Sequence, residues 1–138
     1  MKRGKQAALA AACIGTAMAA ATCSFALESA LVGGWATNAN DCKRLFQRRG
    51  GQIEYRQPVD KFAQAAIIQP QALRLPASVC NITQSSRSGD VVKISGVCHD
   101  SISYTSMTAQ LKIKSGSEIV YSPTGDPVLD TSFVKCPL

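Results

Sequence analysis

The sequence predicts an all-β fold: a small antiparallel β-barrel of about eight strands in an up-and-down meander, with one short helical turn and two disulfides. Short runs of apolar and β-branched residues, separated by clusters of Gly, Pro, Ser and Asp, are typical of sandwiches and barrels. Helical periodicity is confined to one short segment. Four cysteines beyond the N-terminal region form an even set, which suits a small exported domain with two disulfides.

The N-terminal residues predict an export signal. The chain begins with the basic residues Lys2, Arg3 and Lys5. An uncharged, alanine-rich run over residues 6–26 follows and ends in the small-x-small pattern Ser24-Phe25-Ala26. We therefore expect a cleavable signal peptide over 1–26, a periplasmic or secreted protein, and one domain over 27–138 with no transmembrane segment after cleavage. The alternatives are cleavage near residues 19–21, an uncleaved anchor, and Cys13 as a lipoprotein acceptor.

The remaining elements follow in chain order. A first strand includes Gly33 and Trp35, and polar residues 37–41 cap a short helical turn over 43–46, which Gly50 and Gly51 end. Further strands are predicted at 52–57, 62–69, 72–75, 78–84, 91–98, 102–114, 118–122 and 128–135. Residues 109–114 alternate between apolar and polar, which predicts a strand with one solvent-facing side.

Antiparallel geometry predicts the first disulfide. Opposed residues of a hairpin have a constant sum of residue numbers, and pairing Cys80 with Cys98 centres the turn on Gly89. The same register opposes Ile82 to Gly96 and Gln84 to Ile94. Cys42 and Cys136 then remain for the second bond, although four cysteines allow three pairings. In an even-stranded meander these two lie at opposite ends, unless residues 39–50 fold back or the strand count differs.

The positive charge of the chain is concentrated in one segment. Without residues 1–26 the chain has 12 basic and 9 acidic residues, a net charge of +3, and residues 41–61 hold all of that excess. The basic residues of the segment are Lys43, Arg44, Arg48, Arg49, Arg56 and Lys61. We predict that they bind an anionic envelope component, because arginine suits carboxylate and phosphate; the alternative is a solvated loop. The mild net charge predicts no nucleic-acid partner.

The sequence holds no catalytic or metal-binding pattern. His99 is the only histidine, and no nucleophile elbow, Cys-x-x-Cys pair or phosphate-binding glycine loop accompanies it. We therefore predict no enzyme activity, no catalytic residue, no cofactor and no metal site. We expect His99 to be a surface loop residue.

Two resemblances rest on short motifs. Gly33-Gly34-Trp35 contains a Gly-x-Trp pattern, and the chain resembles the lipocalin-like (calycin) barrels of the bacterial metalloprotease-inhibitor type. This resemblance implies that Trp35 plugs one end of the barrel beneath an Arg of the last strand, where this chain has Lys135. The chain also resembles uncharacterised exported bacterial β-proteins that share Gly-x-Trp-Ala, Asp-Cys, Arg-x-Gly and a final aromatic-x-x-Cys-Pro, here residues 133–137. That second likeness implies no function.

These observations favour a non-enzymatic binding module, a monomer whose partner is an unknown protein or an anionic envelope component. The inhibitor barrels that the chain resembles insert an N-terminal tail into a protease cleft, which implies Leu27, Glu28 and Ser29 as partner contacts. The alternatives are a small-molecule carrier of the lipocalin class and an envelope-associated structural protein. An interior filled by side chains would disfavour the carrier.

Overall fold

The computed structural model describes residues 27–138, and the predicted signal peptide, with Cys13 and Cys23, lies outside the described residues. The strands are β1 (Gly33–Ala36), β2 (Phe46–Arg49), β3 (Gln52–Tyr55), β4 (Ala65–Gln69), β5 (Ala72–Arg74), β6 (Val79–Ser88), β7 (Val91–His99), β8 (Tyr104–Ser115), β9 (Glu118–Ser122) and β10 (Thr131–Lys135). The short helix α1 spans Cys42–Leu45, and 3-10 turns span Ala39–Asp41 and Pro127–Leu129.

Eight of these strands close into an antiparallel barrel, which confirms the predicted fold class. Strands β4 to β10 follow one another around the barrel in chain order, and β1 closes it between β10 and β4. Trp35, for example, lies opposite Lys135 on one side and Ala66 on the other. The barrel is therefore an up-and-down meander with no open edge.

Strands β2 and β3 form a separate hairpin outside the barrel, and β2 is a strand that the sequence analysis missed. The predicted helical turn ends at Leu45, because Phe46 begins β2. Gly50 and Gly51 have φ values of 56° and 80°, which lets them close the two-residue turn between the strands. Four residues are too few for periodicity to separate a strand from a helical turn, so the sequence alone left β2 undetected.

The predicted pairing of the β6–β7 hairpin is correct at the end far from its turn. Cys80 lies opposite Cys98 and forms the predicted disulfide with it, and Ile82 lies opposite Gly96. A side chain at position 96 has no room, because a Cβ atom placed there would lie 2.0 Å from the backbone oxygen of Asn81. The close approach of the two strands therefore explains the glycine.

The register shifts beyond Ile82, so the predicted opposition of Gln84 and Ile94 is wrong. Gln84 lies opposite Ser95, because an irregularity between Ile82 and Gln84 places an extra residue in β6. A constant-sum rule cannot anticipate such a bulge. The hairpin consequently ends in the two-residue turn Gly89-Asp90 rather than being centred on Gly89.

Apolar side chains fill the barrel interior. Trp35 is the largest of them and is only 1% exposed. The buried members of this interior cluster are Leu27, Leu31, Trp35, Ala66, Ile68, Leu73, Cys80, Ile82, Val92, Ile94, Ala109, Leu111, Ile119 and Phe133. An eight-stranded barrel has an interior just wide enough for such side chains, and this packing supplies most of the apolar burial of the fold.

A second apolar cluster lies between the outer barrel wall and the β2–β3 hairpin. After β1 the chain reverses through α1 and lays the hairpin against the barrel, so the outward side chains of Ala36 and Ile67 are also buried. The other buried members are Cys42, Leu45, Phe46, Tyr55, Ala65 and Cys136. This reversal brings Cys42 to Cys136 and forms the second predicted disulfide, with a Cα–Cα distance of 5.5 Å. Residues 39–50 thus fold back, as the pairing of Cys42 with Cys136 in an even-stranded meander requires.

Candidate functional site

The strand connections give the barrel two different ends. The closed end carries residues 27–32 and the two-residue turns that follow β4, β6 and β8. The loop end carries the β3–β4, β5–β6, β7–β8 and β9–β10 connections, which are all longer. Because binding residues are disproportionately found on loops held by a rigid scaffold, the loop end is the first place to look for a site.

The closed end is sealed by residues that precede β1. Leu31 is 2% exposed, and its carbonyl oxygen accepts a hydrogen bond of 2.8 Å from the indole Nε1 of Trp35. The Lys135 ammonium donates to the carbonyl of Ala30 at 2.7 Å and lies 5.5 Å from the centroid of the Trp35 ring. Lys135 therefore occupies the place over Trp35 where the resemblance implies an Arg. The relationship to the lipocalin-like barrels stays a prediction.

The predicted contact tail does not project from the barrel. Leu27 is 6% exposed, and its N–H donates to the carbonyl of Pro70 at 2.7 Å. The Glu28 carboxylate forms an ion pair with Arg87 of β6. Ser29 is exposed, and its carbonyl accepts the N–H of Val32 at 3.2 Å. This corrects the expectation of a free tail, since Leu27 belongs to the interior cluster.

The loop end displays large apolar side chains to solvent. Ile102 is 93% exposed and Tyr104 is 81% exposed on the β7–β8 connection and the start of β8. Val128 is 87% exposed and Leu129 is 51% exposed on the β9–β10 connection. Both connections lie at the loop end, but β8 pairs with β9 only from Gln110 onward, so residues 104–109 carry the β7–β8 connection past the end of β9. On the β3–β4 connection Phe62 is 96% exposed, the highest value among these five.

Short turns with fixed hydrogen bonds hold these apolar residues in place. Asp100 accepts the backbone N–H groups of Ile102 at 2.8 Å and Ser103 at 2.9 Å. Those two N–H groups, Ile102 first, lower the pKa of the Asp100 carboxyl. In the β9–β10 connection Asp126 accepts the N–H of Val128 at 3.0 Å and caps the 3-10 turn. The exposed residues thus sit on ordered turns.

The sequence analysis missed these loop-end residues because it extended three strands too far. It predicted strands at 62–69, 102–114 and 128–135, whereas β4, β8 and β10 begin at Ala65, Tyr104 and Thr131. Phe62, Ile102 and Val128 consequently lie in loops rather than in strands. The sequence does hold a signal for all three, because the turn-forming residues Asp60, Asp100 and Asp126 each stand two residues before one of them.

The six basic residues of the predicted anion site do not share one surface. Arg48 and Arg49 are consecutive in β2 and point to opposite faces of the hairpin. Arg48 donates to the carbonyls of Gly51 at 2.9 Å and Leu138 at 2.8 Å, and it lines a groove of about 840 Å³ between hairpin and barrel. Arg49 lies 3.9 Å from Glu54 on the other face.

The other four basic residues do gather near the loop end. Arg44 of α1 forms ion pairs of 3.2 Å with both Asp41 and Asp60. Arg56 donates through Nε to the carbonyl of Lys43 at 2.7 Å, which joins the β3–β4 connection to α1. Lys61 follows Asp60 directly. The predicted set therefore divides into a cluster of four and two separated arginines.

His99 ends β7 at the loop end, with its ring centroid 5.7 Å from that of Tyr104. It lines a groove of about 480 Å³, but the neighbouring Asp100 directs its carboxylate into its own loop. Between residues 27 and 138, no three His, Cys, Asp or Glu side chains lie together in a way that could hold a metal ion. Over the same stretch, no helix is long and apolar enough to cross a membrane.

Comparison with known proteins finds no family model, curated protein or solved structure that matches this chain. The candidate site therefore rests on geometry alone: an apolar, ordered loop end opposite a sealed closed end.

Proposed function

We propose that this protein is an exported, non-enzymatic binding module that recognises a partner protein through the loop end of its barrel. One observation carries the proposal. Four large apolar side chains on two connections of the loop end, Ile102, Tyr104, Val128 and Leu129, are 51–93% exposed on ordered turns. Exposed apolar side chains gathered at one end of a domain mark an interaction site, and aromatic residues are enriched in protein interfaces.

The filled interior supports a binding module over a small-molecule carrier. A carrier of this size must hold its ligand inside the barrel, where Trp35, Leu111 and their neighbours already pack. The two disulfides suit an oxidising compartment, as an exported module requires. An inhibitor-like role would then use the loops rather than the N-terminal residues, because Leu27 is held in the interior cluster.

Site-directed photo-crosslinking in the native host tests the proposal. A photoreactive residue at position 102 should crosslink the full chain to a specific protein. The matched control is position 138, because Leu138 is an exposed apolar residue beside Gly34 at the closed end of the barrel. A photoreactive residue there should give no such product.

A double variant of the loop end completes the test. Ile102→Ser combined with Val128→Ser should weaken partner capture by at least about tenfold, the range expected when central apolar contacts are removed. Leu138→Ser should leave it unchanged. Equal crosslinking from positions 102 and 138, or equal capture by both variants, would contradict the assignment of the loop end. A crosslinked product of twice the chain mass would identify the partner as a second copy and contradict a heterologous partner.

A further inference from the structure

The β3–β4 connection presents an aromatic ring and a lysine on a fixed turn. The N–H of Ala63 donates to the carbonyl of Asp60 at 3.2 Å, which makes residues 60–63 a turn with Lys61 and Phe62 at its corner positions. The Asp60 carboxylate also accepts the N–H of Phe62 at 3.1 Å. The Phe62 ring is 96% exposed, so the turn holds it away from the barrel.

Charges around this turn favour an anionic partner. Arg44 holds the second carboxylate oxygen of Asp60 at 3.2 Å, so the ion pair ties the turn to α1 and neutralises Asp60. Lys43, Arg56 and Lys61 form no ion pair within the part of the chain that the structure describes. Four basic residues against Asp41 and Asp60 leave the cluster with a net charge of +2.

We propose that this turn anchors the protein to an anionic lipid bilayer, with Phe62 inserted among the lipid headgroups and Lys43, Arg56 and Lys61 at the phosphates. An apolar tip bordered by basic residues suits the interface of such a membrane, where aromatic rings lie at headgroup depth and cations stay hydrated. A protein partner would have to cover three unpaired cations with matched carboxylates, whereas a bilayer offers anions without any fixed register. The membrane therefore fits this cluster better.

This anchor goes beyond the proposed partner site and uses different residues. The β3–β4 connection leads into β4, while the nearer part of the partner site, the β9–β10 connection, leads into β10 on the other side of β1. One inserted ring and three cations give weak and reversible attachment, since a single anchor seldom holds a protein on a membrane permanently. The protein can thus be released while the partner site stays intact.

A tryptophan reporter tests insertion directly in the full mature chain. Phe62→Trp adds an exposed indole, and the native Trp35 is 1% exposed, so its emission should not respond to lipid. Vesicles of phosphatidylcholine with about 30% phosphatidylglycerol should shift the emission of the variant to the blue, because anionic headgroups attract nearby cations. Unchanged emission with these vesicles would overturn the proposal.

Cosedimentation with the same vesicles tests the individual contacts. Phe62→Ser should reduce binding by about tenfold and Lys61→Ala by about fivefold, the factors expected for one buried ring and one interfacial cation. Lys112→Ala, which removes an exposed lysine from β8, is the matched charge control and should bind as the parent does. Binding to pure phosphatidylcholine should be much weaker, and salt should reduce binding to the anionic vesicles.

Equal binding to both lipid compositions, or equal loss from Lys61→Ala and Lys112→Ala, would overturn the anionic anchor. Neither result bears on the partner site, because Phe62→Ser and Lys61→Ala leave Ile102 and Val128 in place. The photo-crosslink at position 102 therefore reports separately on the proposed function.

Discussion

The two ends of this barrel use apolar residues in opposite ways. At the closed end, Leu27, Leu31 and Trp35 are at most 6% exposed and are tied to the wall by backbone and side-chain hydrogen bonds. At the loop end, residues of similar size such as Ile102 and Val128 are 93% and 87% exposed. Under the proposed function, apolar side chains that stabilise the fold and apolar side chains that recognise a partner lie at separate ends, so substituting one set should leave the role of the other intact.

The largest expected effect is at the closed end. Trp35→Ala should lower the free energy of unfolding by about 4 kcal/mol, because it removes the largest interior side chain and leaves a cavity. Trp35→Phe should cost less, because it keeps most of the apolar volume and loses mainly the bond to Leu31. Urea denaturation measures both. A Trp35→Ala loss no larger than that of Trp35→Phe would contradict the role of Trp35 as the plug.

The second prediction concerns the disulfide nearest the loop end. Replacing Cys80 and Cys98 together by Ala should lower the free energy of unfolding by about 3 kcal/mol, the value expected for a closed loop of this length, whose sequence separation is 18 residues. Thermal unfolding under oxidising conditions measures it. In the double variant a reductant has no Cys80–Cys98 bond to break. Any large loss of stability that a reductant causes in this variant must therefore come from the Cys42–Cys136 bond.

A smaller effect is expected from the lysine over the plug. Lys135→Met should lower the free energy of unfolding by about 1 kcal/mol, because it removes the hydrogen bond to Ala30 and the cation above the Trp35 ring. Lys135→Arg is the matched variant that restores a cation. A Lys135→Met protein as stable as the parent would show that packing alone seals the closed end.

Loop-end substitutions should barely change stability. Ile102→Ser with Val128→Ser should alter the free energy of unfolding by less than about 0.5 kcal/mol, because both side chains are already in water. Partner capture should fall in the same protein. A marked loss of stability would mean that these residues pack on another surface, and the separation of the two ends would not hold.

The smallest expected effect is a pH dependence of the β7–β8 loop. Backbone N–H groups of Ile102 and Ser103 lower the pKa of Asp100, so their contribution is present above the ordinary aspartate pKa and is lost as pH falls through the lowered value. NMR shifts of both amides should follow that titration. In Asp100→Asn, which keeps an acceptor oxygen without charge, the shifts should not titrate; an identical titration would place the responsible group elsewhere.

Local sequence patterns predicted the strands of the barrel and the Cys80–Cys98 disulfide. The alternation at 109–114 and the turn residues near Gly89 depend only on neighbours in the chain, so they indicated β8 and the β6–β7 hairpin without knowledge of the fold. The pairing of Cys80 with Cys98 follows from the same local geometry. The extra residue between Ile82 and Gln84 has no comparable signal, because a bulge is chosen by packing across the sheet.

Only the tertiary structure decided how distant segments meet. Cys42 reaches Cys136 because the β2–β3 hairpin folds back to bury Phe46 and Tyr55 against the outer wall, a packing gain that no local pattern encodes. Likewise, Leu27 is buried in the barrel interior instead of extending as a free tail. Arg48 and Arg49 are adjacent in sequence but lie on opposite faces of the β2–β3 hairpin. Composition showed how much charge and apolar surface the chain has, while its distribution between two ends depends on contacts between residues far apart in sequence.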